Sequence, residues 1–326
     1  MNRYEQGQQG MNTRTFYDRV DLLLVSPRTQ NSASLRQTLA DLEFREIRTA
    51  SSNADILKAL ETRPPELMIT EFDLPDGDIH ETINDIRHHR VGANPFMSII
   101  VTTWQPSEAL VHQVLDAGAD DLLVQPASRG QLAKRIETLV FNRKPFVVTS
   151  NYIGPDRRNS ARPGTQKIEG LDVPNILQSK VMGGDESAAS QNALDAAIAK
   201  VNLDKIIRNG AHIGYLTKQI LSAYEQKNVD GPLVGHLRGL ISTGEDSIRR
   251  IRGTKYELIK TLFQTIITVG QRLELAFNSP EGKDLQLLPE LAMSIRLALK
   301  DGGATGNTAD QISAAISGAL PQQDVA

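Results

Sequence analysis

The stretch LMITEFDLPDG, Leu67 to Gly77, sets a carboxylate, Glu71, directly after a short buried-type run, with Asp73 and Asp76 close behind. An acid at the C-terminal end of a parallel strand is placed for chemistry: nucleophilic attack, proton transfer or cation binding. Elsewhere the side chains that carry chemistry are sparse. No cysteine is present, which excludes disulfides, thiolate catalysis and cysteine-based metal sites. Gly-rich phosphate loops and nucleophile elbows are absent. The RHHR run, Arg87–Arg90, puts its adjacent histidines on different sides of a helix, where they are poor joint ligands. Cations there suit a helix C-terminus.

The elements that must position Glu71 follow from periodicity. DLLLVS, ELMITE, SIIVTT and DLLVQP are short apolar runs, and FREIRTA alternates as a strand does. Helical patterns separate them. Leu35, Leu39 and Leu42 share one stripe, and Ile79, Ile83 and Ile86 another. A helix in SNADILKALETRPP opens on cap-type residues and ends at Pro64; one in PSEALVHQVLDAGA stops at Gly118. SRGQLAKRIETLVF closes the series. Strict alternation with unbroken apolar strands predicts a doubly wound five-stranded parallel sheet covered on both faces. Ligands in such sheets bind beyond the strand C-termini, where strand order reverses.

The flanking regions differ in composition. Residues 1–19 are polar and read as a disordered tail. Residues 20–142 hold the α/β domain. Residues 143–192, rich in Gly, Pro, Ser and charge, read as a linker with a short docked piece around FVVTSNYI. From 193 to 301 apolar stripes recur at helical spacing: Ile213, Leu216, Ile220 and Tyr224; Leu233, Leu237, Leu240 and Ile241; Leu258, Leu262, Ile266, Leu273 and Phe277 in one long helix; Leu285, Leu288, Ile295 and Leu299. These stripes must bury one another, which predicts an all-α bundle or dimerisation domain. Residues 302–326 read as a flexible tail. The net charge of -3 provides no global field for nucleic acid or anionic lipid. No apolar run is long enough to span a bilayer, and the polar start is no signal peptide, so a cytoplasmic protein is expected.

The order of punctuation carries a resemblance. A strand ends in Glu71 with Pro75 four residues later, a strand ends in Thr103, and DAGADDLLVQP ends in the Gln125-Pro126 step. Over roughly Val20–Phe141 the chain resembles the CheY-like receiver domain of two-component response regulators, with a flavodoxin-like fold. NYIGPDRR, just after it, resembles a tail of receiver proteins of alphaproteobacterial type. Receivers move a phosphoryl group from a histidine kinase to their own aspartate. That needs a metal-holding acid pair after the first strand, an aspartate after the third, a Thr or Ser hydroxyl and a lysine.

By that resemblance, this chain departs at nearly every charged position. The acid pair is replaced by Ser26-Pro27, the phosphoacceptor position holds Glu71, and the lysine position holds Gln125. Only Thr103 matches, and the aromatic switch position is Leu122. One carboxylate rarely holds Mg²⁺, and glutamate sets its carboxylate roughly 1.5 Å further out than aspartate. A shift of that size can cost about 10²-fold in rate. A non-phosphorylatable pseudo-receiver is therefore expected, without enzymatic activity, resident metal or cofactor. Two readings of Glu71 stay open. It mimics a phosphorylated state, held by Thr103, Gln125 and the positive charge of Arg28, or it is a neutral relic.

Other motifs have plainer explanations. RRNSAR, Arg157–Arg162, has the arginine spacing of PilZ domains that bind cyclic di-GMP, but DESAAS lacks the glycine of the partner motif and helices follow. His236, in GHLRG, resembles the histidine of phosphotransfer domains with spacing one residue short; His212 is weaker still. SIRRIRGTK is the strongest basic cluster of the helical region, without a recognisable reading helix. The expected function is that of a response-regulator-like protein in a phosphorelay, its receiver a protein-interaction module. Ala109, His112, Gln113 and Leu122 are the expected interaction face. The expected partners are a histidine kinase or downstream regulator and a second copy of the chain, not nucleic acid or membrane. The alternatives are a regulator still switched through Asp73, Asp76 or cyclic di-GMP, and a transcriptional regulator with a helical DNA-binding output.

Overall fold

The structure is a computed structural model. It describes residues 15–27, 29–158, 170–184, 188–229, 231–300 and 302. The described chain divides into two compact units, residues 1–198 and 199–326.

In the first unit, β1 (Leu22–Val25), β2 (Ile47–Ala50), β3 (Leu67–Glu71), β6 (Ser98–Thr103) and β7 (Asp121–Val124) form one five-stranded sheet. Every pairing is parallel and the order is β2-β1-β3-β6-β7. The short strands β4 (Asp73–Leu74) and β5 (Gly77–Asp78) make a separate hairpin in the loop after β3. Side chains alternate across the sheet. Leu23, Val25, Met68, Ile99 and Val101 pack on α2 (Asn53–Thr62), α3 (His80–Arg87) and α4 (Glu108–Ala117). Leu22, Leu24, Leu67, Ile69 and Ile100 face the opposite layer, with α1 (Thr29–Asp41) and α5 (Arg129–Phe141). The two-residue period of a strand thus divides one apolar run between two cores.

Local signals set the helix ends. Ser52 and Ser107 accept backbone N–H bonds at the starts of α2 and α4, and Ser128 with Gln131 forms a reciprocal capping box on α5. Gly118 ends α4 at φ +93, a conformation that suits glycine.

The segment expected as a linker, 143–192, is structured over much of its length. β8 (Phe146–Val148) and β9 (Ile153–Pro155) form a hairpin, and Phe146 bridges to Leu171. Helix α6 (Ile176–Val181) buries Leu177 and Val181 in the α1–α5 core. Residues 15–19, expected in a disordered tail, also dock. Phe16 donates its backbone N–H to Val181, and Tyr17 packs on Phe44 at 5.2 Å. The polar composition of these segments concealed a few large apolar residues that pay the ordering entropy by burial.

The second unit is a helical bundle, built from the C-terminal part of α7 (Ala188–Glu225) with α8 (Gly231–Ile251), α9 (Lys260–Leu275) and α10 (Gly282–Lys300). Its core joins Ile213, Leu237, Phe263, Ile266 and Ile295. At Gly244 a Cβ would lie 2.6 Å from Ile267, so glycine permits α8 and α9 their close approach. The single helix expected from Tyr256 begins instead with a short 3-10 turn, Glu257–Ile259. The shift exposes Leu258 to 73% and buries Ile259 in its place.

Candidate functional site

The strand order reverses between β1 and β3, so their C-terminal ends open the crevice where such sheets bind ligands. Ser26 follows β1 and Glu71 ends β3. The buried Ser26 hydroxyl donates to Glu71 Oε1 at 2.6 Å. Glu71 sits opposite Thr102 in register with β6. Glu71, Phe72, Asp73, Thr102, Thr103, Trp104 and Gln105 line an open cleft of about 270 Å³.

The residues expected to grip Glu71 are engaged elsewhere. Thr103 is buried, and its hydroxyl oxygen accepts from Gln105 N–H at 3.2 Å. Gln125 turns its Oε1 to the backbone N–H of Ala127 at 3.0 Å, while its own N–H binds Thr103 O at 2.8 Å. Both side chains have settled into local turns, which compete with longer-range partners. Pro27 is exposed, and Arg28 lies outside the described residues. Among the described residues, the side-chain donor on Glu71 is Ser26 rather than Thr103 or Gln125.

The alternative acceptors differ in environment. Asp76 accepts backbone N–H bonds from Asn53 and Ala54 at 2.9 and 3.0 Å. Those two amides hold its carboxyl below the usual carboxylate range. Asp76 thus serves the N-terminus of α2. Asp73 is exposed at the edge of the cleft. No group of three or more His, Asp or Glu side chains suited to a metal occurs among the described residues.

On the expected interaction face, Ala109, His112 and Gln113 are exposed along α4, and His112 approaches Glu108 at 3.8 Å. Leu122 is only half-exposed and packs against the core. The apolar side chains that do reach solvent near the strand ends are Trp104, at 45%, and Val124, at 46%. Sequence reading missed both, because Val124 ends the apolar run of β7 and Trp104 directly follows that of β6, positions a buried residue could equally fill.

A second polar centre lies at the opposite end of the sheet. Arg87, fully buried, donates to the carbonyls of Pro95, Met97 and Gly118 and to Asp120 Oδ2 at 2.7 Å. Arg143 donates to Asp120 Oδ1 at 2.9 Å. Both guanidiniums lie over the Phe146 ring, at 5.3 and 5.0 Å. Burial by itself would raise the Asp120 carboxyl, but Arg143 and Arg87 outweigh it and hold it below the ordinary range. This triad clips the β8–β9 hairpin to the sheet. Ile153 is buried, and its carbonyl would lie 2.6 Å from a Cβ at Gly118. Arg157 donates to the Ala119 carbonyl, and Arg158 pairs with Asp156 at 2.6 Å. Two arginines of RRNSAR are thus occupied by protein groups, and Arg162 lies outside the described residues.

In the helical unit, Arg249 and Arg250 of SIRRIRGTK both bind Asp246. Arg250 is buried and reaches Asn202 Oδ1 at 2.7 Å, while Asn209 donates to Asp246 at 2.9 Å. Burial opposes the charge on Asp246, yet Arg250, Asn209 and Arg249 together depress its carboxyl strongly. His236 is half-buried on α8. His212 on α7 stacks on Tyr215 at 6.0 Å, and burial with the nearby Lys205 lowers its pKa.

The first unit is similar to known proteins. Residues 22–137 match the family model of the response regulator receiver domain. The KDP operon transcriptional regulatory protein KdpE of Escherichia coli K12 is 39% identical over 75 residues, 23% of this chain and 31% of that protein. The chain therefore spans about a third of that relative's length. A probable chemotaxis protein CheY of Rhizobium etli is 24% identical over 123 residues, 37% of this chain and 93% of that protein. Among solved structures, a receiver domain from Bermanella marisrubri is 24% identical with a TM-score of 0.33, covering 36% of this chain and 96% of its own. Vibrio cholerae CheY4 is 23% identical with a TM-score of 0.32, covering 36% and 94%.

Proposed function

We propose that residues 22–137, a response regulator receiver domain, act in phosphorelay signalling as a protein-interaction module that does not itself accept a phosphoryl group. The Ser26–Glu71 hydrogen bond carries this reading. A neutral hydroxyl stands where a metal-holding carboxylate is required, and it is already spent on the glutamate that replaces the acceptor. Gln125, in place of the charged lysine, bonds its own loop. Nothing in that set neutralises the charge of a transferring phosphoryl group.

The contact surface in this reading is the exposed side of α4, Ala109, His112 and Gln113, extended by Trp104 and Val124. Aromatic side chains exposed beside polar ones are typical anchors of protein interfaces. The partner is another signalling protein, a kinase or a downstream regulator. The helical unit is the dimerising half. The cyclic di-GMP and DNA-binding readings are weakened by arginines already committed to Ala119, Asp156 and Asp246. The test is capture of partners by the full chain and by its Trp104→Ala and Glu71→Ala variants. Loss of a specific signalling partner with Trp104→Ala supports the module. Incorporation of phosphate at Glu71, Asp73 or Asp76 from a kinase or acetyl phosphate would overturn it.

A further inference from the structure

The outward face of α7 in the helical unit has an unusual symmetry. Positions 204, 207, 211, 215 and 218 recur at intervals of three, four, four and three, the spacing of a helix face that meets another helix. Yet this seam is not the one buried in the bundle, which runs through Ile206, Ile213 and Ile220. Ile207 is 47% exposed and Tyr215 is 52% exposed. Ala211, between them, is exposed as well, and a Cβ on Gly214 would meet open space.

The charges at the ends of the seam are matched. Asp204 and Lys218 lie equally far from Ala211, about two helical turns on either side. Neither makes an ion pair or hydrogen bond with another described residue. Ile207 and Tyr215 are likewise equidistant from Ala211, about one turn each way. A two-fold axis through Ala211 sets two copies of this helix antiparallel. Asp204 then meets Lys218 of the other copy, Ile207 meets Tyr215, and Ala211 meets itself. Small residues at the crossing let the backbones approach.

We propose that α7 pairs antiparallel with α7 of a second copy of this chain, with Ala211 on the two-fold axis. The inference rests on the reading of the helical unit as the dimerising half and supplies its surface and register. Self-complementarity is what an isologous interface demands, because each patch must be its own partner. An unrelated partner would place no such condition on charges equidistant from one alanine.

The test uses the full chain, which contains no native cysteine. Ala211→Cys is expected to form an interchain disulfide under mild oxidation, since two such residues would face each other within bonding reach. A control cysteine outside the proposed surface, Glu274→Cys on α9, is expected to remain monomeric on a denaturing gel. In sedimentation at low salt, Asp204→Lys and Lys218→Asp should each weaken dimerisation roughly tenfold, as two symmetric attractions become repulsions. The double exchange Asp204→Lys with Lys218→Asp should restore it, and circular dichroism confirms that each variant folds. A chain that stays monomeric at every concentration overturns both the pairing and the dimer reading. A dimer that ignores the charge exchanges and does not cross-link at position 211 overturns this surface alone.

Discussion

Ser26 Oγ donates a 2.6 Å hydrogen bond to Glu71 Oε1, joining the end of β1 to the end of β3 across the point where strand order reverses. The bond ties down a carboxylate that would otherwise project into the cleft. It also engages the hydroxyl of the residue that directly follows β1.

Replacing Ser26 by alanine should lower stability by about 1 kcal/mol, since Glu71 is only half-buried and water recovers part of the lost bond. Glu71→Gln keeps an acceptor oxygen for Ser26 and should cost less than Glu71→Ala. Urea unfolding of the three variants checks the order.

Incubation with acetyl phosphate and Mg²⁺ should leave the intact mass unchanged. On the proposed reading, Glu71→Asp alone should not permit phosphorylation, because Ser26, Pro27 and Gln125 offer neither an acid pair nor a lysine. Combining it with Ser26→Asp, Pro27→Asp and Gln125→Lys should do so, because the fold already aligns those strand ends. Mass spectrometry reads both results.

Asp120→Ala leaves the buried guanidiniums of Arg87 and Arg143 without their shared carboxylate. The expected loss is about 3–5 kcal/mol, the range for breaking a buried ion pair from one side. Arg143→Met should cost less, because Arg87 retains Asp120 and the methionine can still cover Phe146. Both variants should speed chymotryptic cleavage at Phe146 and Tyr152 as the β8–β9 hairpin loosens. Denaturant midpoints and limited proteolysis measure the two effects.

Acid should destabilise both units. Asp120 and Asp246 titrate lower in the folded chain than in the unfolded one. Their contribution is therefore full above the unfolded carboxylate value, about pH 4, and is lost as pH falls toward the lower folded values. Melting temperatures recorded from pH 7 downward should drop most steeply below about pH 4. Asp120→Asn, already lacking the charge, should show a shallower fall for the first unit.

Much of the molecule was legible in the order of its residues. Unbroken apolar runs such as LMIT can only be buried on both faces, so they required helices on both sides and a parallel sheet. Ser52 and Gly118 marked helix ends because capping depends on neighbours within a turn. The same local logic placed Ser26, Glu71, Thr103 and Gln125 at the ends of successive strands, and the sheet brings those ends together.

What only the tertiary structure decided was which polar group each of them meets. Glu71 takes Ser26, forty-five positions away, while Thr103 and Gln125 bond within their own turns. Arg87 appeared to be one cation of a surface run until folding buried it against Asp120 and Phe146. Leu258 was assigned to a core seam, and a short 3-10 turn rotated it into solvent. Periodicity constrains the face a residue shares with its neighbours, because that geometry is repeated every turn. Hydrogen-bond and ion-pair partners depend on distances between elements remote in the chain, and those exist only once the sheet and its helices have packed.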